Sequence, residues 1–314
     1  MPANKSNVFG IGETVLDLIL RGLEPVAARP GGSMLNGMVS LGRAGVPAFF
    51  ISEYGRDQAG ELVDHFLTES GVDTRHVYRY PTGRTALALA FLDDKNDARY
   101  TFYRDFPEKR LAITFPDVGQ GDILLFGSFY AIAPEIRPIV KTFIQEAARN
   151  GACLIYDPNF RRAHLHELDR LKPSIFENFG MATLVKGSDE DFRNIFGTNG
   201  PDEAWQAVRG LCPSLVYTAN AGGVFVRTNS FSNHYSVPEI TPVSTIGAGD
   251  NFTAGMIVEL FKIIQDQPTF RVERLGQPEW DRIIGMGIRF ATEVCLSYEN
   301  SVSGGFAKAV TGDR

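Results

Sequence analysis

A glycine-rich segment that ends in an aspartate lies in the last quarter of the chain. It reads Gly247-Ala248-Gly249-Asp250, and the apolar residues after it recur on one face of a predicted helix over 251–265. Glycines let the backbone turn and present N–H groups at a helix N-terminus, where anions bind. Asp250 is either a carboxylate that caps this helix or one placed beside a bound anion. A cap does not require two glycines before it, whereas an anion site does.

A second segment, near the N-terminus, begins with Gly31-Gly32-Ser33 and continues to Gly45. Ser33 is predicted to cap a helix over 34–44, with Gly45 at its C-terminal end. Asn36 then lies in the first turn of this helix. Its amide either binds a hydroxylated ligand or faces solvent.

These segments need a scaffold that brings them together, and the pattern along the chain predicts an α/β fold. Short apolar runs without alternation, typical of parallel strands covered on both faces, alternate with amphipathic stretches. The predicted strands are 8–11, 48–52, 123–126, 153–156, 184–185, 215–218 and 224–226. The predicted helices are 34–44, 60–70, 134–149, 190–196, 203–211 and 251–265, with a final helix over 288–296. No long linker divides the chain, which predicts one domain over 1–314.

Three segments break this alternation and predict a small β subdomain outside the main sheet. Residues 85–92 and 98–104 flank the polar tip 93–97 and together resemble a β-hairpin. Residues 14–20 extend past the first strand as a further apolar stretch, and residues 22–30 are predicted to form a loop.

Composition and charge exclude several classes of protein. Hydrophobic residues make up 44% of the 314 residues, so a sizeable core is available. The net charge of −6 argues against a broad nucleic-acid surface or an anionic-membrane surface. No apolar stretch is long enough to span a membrane, and no secretory segment is present, which predicts a cytoplasmic protein. The three cysteines are widely spaced and indicate neither a disulfide framework nor a zinc site.

Together, the Gly-Gly-x-x-x-Asn helix and the Gly-Ala-Gly-Asp helix resemble those of the ribokinase-like (PfkB) carbohydrate kinases, and the resemblance covers essentially the whole chain. It implies a three-layer α/β/α sandwich with a mostly parallel central sheet and a small β lid formed by about 13–33 and 82–108. It also implies ATP-dependent phosphorylation of a sugar hydroxyl with Mg²⁺, and a homodimer that pairs through the lid.

The resemblance assigns roles to matching positions. Asp250 would be the general base, and the amides of 247–249 would stabilise the charge on the transferring phosphoryl group. Asp17 matches the lid aspartate that binds sugar hydroxyls. Gly32 and Asn36 match sugar-contacting positions.

Looser matches extend the substrate site. Arg104 resembles an arginine of fructokinase-like members that contacts substrate; the alternative is a solvated arginine at a strand end. Asn159 and Arg161 belong to Asp157-Pro158-Asn159-Phe160-Arg161, which resembles the family's Asp-Pro-Asn-x-Arg; the alternative is a proline turn.

Other matches indicate the nucleotide side. Ser188 and Asp191 stand where the family has Asn-x-x-Glu, so Asp191 would hold Mg²⁺ through water. The candidate nucleotide contacts are Lys186, Ser188, Thr218, Asn220, Gly223, Gly247, Gly249 and Cys295. Ser244 stands where many members have an aspartate that binds K⁺, so weak or absent activation by K⁺ is expected.

Other classes are less well supported. The chain contains no Walker motif, and Gly10-Ile11-Gly12 is not continued as a dinucleotide-binding fingerprint. A non-catalytic sugar or nucleotide sensor on the same fold stays open, as do a 2-keto-3-deoxygluconate kinase and other sugar or nucleoside kinases. Fructose is the first choice of substrate. Lys109 and Arg110 indicate either an acidic substrate or solvated charge.

Overall fold

The computed structural model describes residues 6–92, 98–267 and 270–312. The strands are β1 Val8–Ile11, β2 Val15–Arg21, β3 Glu24–Gly31, β4 Ala48–Gly55, β5 Val72–Asp73, β6 Val77–Tyr80, β7 Arg84–Leu92, β8 Ala98–Asp105, β9 Ile123–Gly127, β10 Cys153–Asp157, β11 Leu184–Ser188, β12 Ser214–Thr218, β13 Val224–Thr228 and β14 Ser232–Tyr235. The helices are α1 Ser33–Arg43, α2 Gln58–Glu69, α3 Arg137–Arg149, α4 Leu168–Met181, α5 Asp189–Phe196, α6 Pro201–Val208, α7 Ala248–Asp266, α8 Gln277–Cys295 and α9 Gly304–Thr311.

The large sheet has the strand order β14-β13-β12-β11-β10-β9-β1-β4-β5, with β6 pairing with the far end of β4. Its pairs are parallel from β12 to β5, and only β13 and β14 add antiparallel pairs among the described residues. The chain leaves β1 for β4 on one side and reaches β9 on the other. This reversal at β1 opens a crevice at the carboxyl ends of the central strands, where α/β sheets bind ligands.

Alternate residues of the central strands pack into two separate cores, one on each face of the sheet. On one face, Ile123 and Leu125 of β9 pack in a core with α1, α7 and α8. On the other, Leu124 and Phe126 pack in a core with α3, α4, α5 and α6. Both β9 and β10 are buried throughout, which confirms the prediction of parallel strands covered on both faces and of a three-layer sandwich.

A separate four-stranded sheet has the order β3-β2-β7-β8 and confirms the predicted small β subdomain. Strands β2 and β7 are parallel, while the two outer pairs are antiparallel. The predicted loop over 22–30 is wrong, because Glu24–Gly31 pairs with β2 as a strand with one irregularity beside Ile19. The predicted hairpin tip, 93–97, lies outside the described residues.

Two further differences concern helices. The helix predicted at 288–296 begins at Gln277 and is followed by α9, so it is not the last one. Helix α4 was not predicted, because Pro173 lies inside it and proline ordinarily ends a helical pattern. None of the helices in the described ranges combines the length and apolar character needed to cross a membrane.

Candidate active site

The contact between α1 and α7 places Asp250, in the first turn of α7, beside the first turn of α1. Ser33 donates its hydroxyl to Asp250 Oδ1 at 2.7 Å, and Asn36 donates its side-chain amide to Asp250 Oδ2 at 2.9 Å. The predicted helix starts therefore meet, although more than two hundred residues separate them in the chain. Both carboxylate oxygens are thus held in a fixed orientation at the N-terminus of α7.

The environment of Asp250 makes it a stronger base than an ordinary aspartate. Burial raises the pKa of its carboxyl, and the hydrogen bonds from Asn36 and Ser33 and the charges of Lys186 and Arg161 oppose that rise. A raised pKa brings a carboxylate closer to the value that suits proton transfer near neutral pH. The local chemistry therefore fits a general base.

The turn that precedes Asp250 depends on glycine. Gly247 has φ +77°, and a Cβ there would lie 2.8 Å from the carbonyl oxygen of Asn300. Asn251 donates its amide to the carbonyl oxygens of both Gly247 and Asn300, at 2.8 Å each. The backbone of 247–249 is therefore fixed against the 300 loop as α7 begins, and the helix N-terminus is the predicted anion site.

The start of α1 differs from the prediction. Ser33 makes no cap; it is the first residue of the helix and its hydroxyl goes to Asp250. Gly32 occupies the cap position with φ +137°, and a Cβ there would lie 2.2 Å from the carbonyl oxygen of Glu13. Gly32, a predicted sugar contact, is therefore a position where any side chain would collide with the backbone of Glu13.

Asp17 lies on β2 and packs against the backbone of Gly31 on the neighbouring strand, where a Cβ would meet its Oδ2 at 2.3 Å. Burial, with a smaller contribution from Glu13, raises the pKa of Asp17 to about 7. In β8, Tyr100 is influenced by the charges of Asp17 and Arg161, and burial is the main cause of its raised pKa. Tyr100 of the small sheet thus lies within electrostatic range of both Asp17 and the exposed Arg161, which follows β10 of the large sheet.

The two arginines at the end of the small sheet are both paired. Arg104 donates to Glu13 at 2.9 Å and lies over the ring of Phe102. Arg110 donates to the buried Glu53 at 2.7 Å. Of the two residues that raised an acidic substrate, Arg110 is therefore balanced by a carboxylate and Lys109 is exposed to solvent; the charge of Arg104 is balanced as well.

A buried ion pair lies below the start of α7. The ammonium of Lys186 is 3.0 Å from Asp157 Oδ2, and both side chains are at most 4% exposed. Thr253 donates its hydroxyl toward the same Oδ2 at 3.1 Å. Burial works against the ammonium of Lys186, but Asp157 and Asp191 hold its pKa above its ordinary value.

Both carboxylate oxygens of Asp191 accept hydrogen bonds from the protein. With Ser188 it forms a capping box at the start of α5, in which Asp191 Oδ2 accepts from the backbone N–H and the hydroxyl of Ser188. Its Oδ1 accepts from the backbone N–H of Phe160 at 2.6 Å. Within the described residues no group of three or more histidine, cysteine or acidic side chains is arranged to hold a metal ion.

The remaining candidates lie on separate elements. Thr218 ends β12, and Asn220 and Gly223 follow it with φ +47° and +90°. Cys295 ends α8, and its carbonyl oxygen accepts from the backbone of Val243 at 2.8 Å. Asn159 follows β10 with φ +40°, a left-handed conformation that asparagine tolerates and that often marks a functional loop.

Four residues that contact these candidates were not predicted as site residues. Ser33 bonds Asp250, and Glu13 bonds Arg104. Asp157 bonds Lys186, and Thr253 bonds Asp157. Asp157 had a usable signal, because it directly follows the predicted strand 153–156, just as Lys186 directly follows the predicted strand 184–185, and these two strands are neighbours in the sheet.

The chain is similar to known proteins over most of its length. The family model described as "pfkB family carbohydrate kinase" matches residues 5–272. A fructokinase of Escherichia coli is 28% identical over 259 residues, which cover 81% of this chain and 84% of that protein. A fructokinase of Vibrio alginolyticus is 26% identical over 256 residues, covering 80% and 83%.

Solved structures share the fold. The fructokinase of Vibrio cholerae O395 with fructose, ADP and calcium ion bound superposes with a TM-score of 0.82 at 24% identity, covering 96% of this chain and 98% of that one. An aminoimidazole riboside kinase of Salmonella enterica gives 0.82 at 18% identity, covering 98% and 100%. Since the family model extends over most of its residues, the protein belongs to the pfkB family of carbohydrate kinases.

Proposed function

We propose that the protein transfers the γ-phosphoryl group of ATP to a hydroxyl of a small neutral sugar, fructose in the first place. One observation carries the proposal: Asp250, with its raised pKa, follows the glycine turn at the N-terminus of α7 and is oriented by Ser33 and Asn36. Family membership supplies the reaction class, and the fructokinases among the relatives support the substrate.

In this mechanism Asp250 accepts the proton of the attacking sugar hydroxyl. The sugar oxygen forms its bond to the γ-phosphorus as the bond from that phosphorus to the bridging oxygen breaks, and ADP leaves. The N–H groups of 247–249 and the positive end of the α7 dipole stabilise the charge on the transferring group. Positioning and electrostatics supply most of the acceleration in phosphoryl transfer.

The donor set fits a magnesium ion that is held mainly by ATP. Asp191, the predicted contact, already accepts hydrogen bonds on both oxygens, and a carboxylate has about four acceptor positions. The acceptor position that remains on Asp191 suits a contact through water. Mg²⁺ usually keeps several waters and binds substrate phosphates. The ion would supply charge neutralisation at the phosphates.

The paired arginines favour a neutral sugar over an acid such as 2-keto-3-deoxygluconate. Glu13 balances Arg104 and Glu53 balances Arg110, so neither arginine offers an uncompensated charge to a carboxylate. Asp17 and Asp250 add negative charge. We assign the hydroxyl contacts of the sugar to Asp17, Asn36, Asn159 and Arg161, with Arg104 at the edge.

The nucleotide is proposed to lie on the other side of 247–249. Ser188 ends β11, with Lys186 two residues before it, and Thr218 ends the adjacent β12, so parallel pairing brings these residues toward one edge of the sheet. Asn220, Gly223 and Cys295 would line the more distant part of the nucleotide.

The small sheet is proposed to act as a lid, formed by about 13–33 and 82–108 of a single domain over 1–314. One face carries Asp17 toward the site. On the other face Phe91 and Tyr103 are 39% and 56% exposed, an apolar surface suited to pairing with a second copy. Light scattering at micromolar concentration tests the homodimer, and a monomer with and without sugar would contradict it. The cytoplasmic location remains a prediction.

An ADP-release assay with a panel of sugars tests the proposed function. We expect release that depends on a sugar, with fructose used best among ketoses, aldoses, nucleosides and 2-keto-3-deoxygluconate. The Asp250→Asn variant should lower it by about 10²- to 10⁴-fold, while Asp266→Asn, the same change at the exposed end of α7, should leave it unchanged. A sensor on this fold would instead show thermal stabilisation by sugar without any ADP.

A further inference from the structure

The ion pair between Asp157 and Lys186 lies in the most buried part of the site. Asp157 is 2% exposed and Lys186 is 4% exposed. Removing two charges from water costs more than their mutual attraction commonly returns, so such a pair is weak evidence for a role in stability. Its location calls for a different explanation.

Lys186 reaches the anion site from below. A Cβ built on Gly249 would lie 3.0 Å from Lys186 Nζ, so the ammonium sits against the backbone of the glycine turn. An ammonium has three N–H groups. Among the described residues, the Lys186 ammonium donates one of them to Asp157 Oδ2. The ammonium is therefore placed where its other donors can meet an anion bound to 247–249.

Asp157 fixes that ammonium from the opposite side. Its Oδ2 accepts from Lys186, and the Thr253 hydroxyl lies 3.1 Å from both Asp157 Oδ2 and the carbonyl oxygen of Gly249, so its one proton is shared between these two acceptors. Asp157, Lys186 and the turn are thereby joined in one hydrogen-bonded unit.

The burial of the second carboxylate oxygen of Asp157 does not stabilise the fold. Asp157 Oδ1 is buried and has no hydrogen-bond partner in the described ranges. A buried acceptor without a partner is destabilising, and such groups in folded proteins are uncommon. The chain thus keeps a costly carboxylate at the one place where it holds Lys186.

We propose that Asp157 is a positioning residue that fixes the Lys186 ammonium beside Gly249, so that this ammonium binds the phosphoryl oxygens of the nucleotide. The inference rests on the proposed function and adds to it a role for Asp157. In this role Asp157 acts through Lys186 and contacts neither substrate. Without the carboxylate, the ammonium can rotate away from the turn, and a misplacement of about 1 Å at a reacting centre costs on the order of 10²-fold in rate.

A double-mutant cycle tests this role. The variants are Asp157→Asn, Lys186→Met and the double substitution, and the measured quantities are kcat, the KM of the sugar, and the affinities for ADP and for adenosine. We expect Asp157→Asn to lower kcat by about 10- to 10²-fold and to weaken ADP by about tenfold. The sugar KM and the adenosine affinity should stay within about twofold, because neither ligand brings a phosphate to Lys186. The double variant should be no worse than Lys186→Met alone, because Asp157 acts through that lysine.

Two further variants separate positioning from folding. Asp157→Glu keeps the charge but moves the carboxylate by one methylene, so it should lower kcat while ADP binding is retained in part. Asp122→Asn is the matched control, since Asp122 lies in the turn before β9 and accepts from Gly119 and Asn7 away from the site. It should leave kcat and ADP affinity unchanged.

Several results would overturn the inference. They are a wild-type kcat in Asp157→Asn or Asp157→Glu, additive losses in the double variant, or equal losses of ADP and adenosine affinity. If the wild type phosphorylates no sugar, the proposed function fails instead. The contrast between ADP and adenosine still reports on Asp157 in that case.

Discussion

Ser33 donates its hydroxyl to Oδ1 of Asp250 at 2.7 Å, across 217 residues of chain. This hydrogen bond stabilises the ionised carboxylate and so opposes the rise in pKa that burial causes. Ser33, the first residue of α1, therefore adjusts the basicity of Asp250 in the first turn of α7. Asn36 makes the corresponding hydrogen bond to Oδ2 of Asp250.

Removing the Ser33 hydroxyl should shift the pH profile of the enzyme. In Ser33→Ala, Asp250 loses a hydrogen bond to its charged form, its pKa rises further, and the acid limb of kcat against pH moves to higher pH. Initial rates from pH 5 to 9 measure the shift. Ser230→Ala, in an exposed turn, is the matched control. An acid limb that stays in place or moves to lower pH would contradict the role given to Ser33.

Replacing Asp250 itself should remove catalysis and spare the fold. Asp250→Asn keeps the shape of the side chain but cannot accept the hydroxyl proton, so kcat should fall by about 10² to 10⁴-fold. Thermal unfolding should change little, because burial already disfavours the charge. Turnover within a few-fold of wild type would show that Asp250 is not the base.

The pKa of Asp17, about 7, predicts a pH-dependent affinity for sugar. An ionised carboxylate accepts hydroxyl hydrogen bonds more strongly than a protonated one, so the KM for sugar should fall as pH rises from 6 to 8. Asp17→Asn should have a higher KM without this dependence. A KM that is independent of pH in the wild type would argue against a sugar contact at Asp17.

The same group affects stability without substrate. Asp17 keeps its proton in the folded state up to about pH 7, whereas in the unfolded state it ionises near 3.8. Between these values the folded state binds more protons, so this contribution to the free energy of unfolding falls as pH rises. Thermal unfolding of wild type and Asp17→Asn across pH 4 to 8 measures it, and the variant should gain relative stability toward pH 7.

Potassium should activate the enzyme weakly or not at all. Ser244 offers a neutral hydroxyl, which accepts from the backbone N–H of Ile246 at 3.2 Å, and hard cations depend on the charge and number of their oxygen ligands. Ser244→Asp should increase activation. Initial rates against KCl at constant ionic strength measure both forms. Steep, saturable activation of the wild type at low millimolar K⁺ would contradict this prediction.

An alanine at Gly247 should disturb the anion site. The left-handed conformation costs an L-residue about 1–2 kcal/mol, and the new Cβ would press on the carbonyl oxygen of Asn300. We expect lower stability and a kcat that falls more than the sugar affinity does. Gly304→Ala is the control, because its Cβ would meet open space in α9. Equal effects of the two substitutions would contradict the prediction.

The elements that carry this site could largely be predicted from local pattern. The flat apolar run of β9 is buried on both faces and was predictable from its apolar pattern at 123–126. Strand β3 was not, because Pro25 and Pro30 are typical of a loop and only its pairing with β2 makes it a strand. Local pattern does not reveal such pairing.

The roles of individual site residues also divide into those that the sequence predicts and those that only the fold reveals. Serine at a helix start predicts a cap, but the hydroxyl of Ser33 prefers a carboxylate that reaches it only in the folded chain. Likewise the motif around Asp157 is visible in the sequence, whereas its partner Lys186 requires that β10 and β11 be neighbours. Long-range partners are what the local pattern lacks.

Helix α1 also binds the far end of the chain: Ser40 bonds the side chain of Asn251 and accepts from the backbone of Val302 at 3.1 Å. During synthesis, residues 33–43 leave the ribosome long before either partner exists. Their apolar face must wait for α7, a delay of more than two hundred residues, or on the order of ten or more seconds at ordinary elongation rates. The nascent chain therefore exposes an unpaired helix face for that time, and chaperones would find their target there.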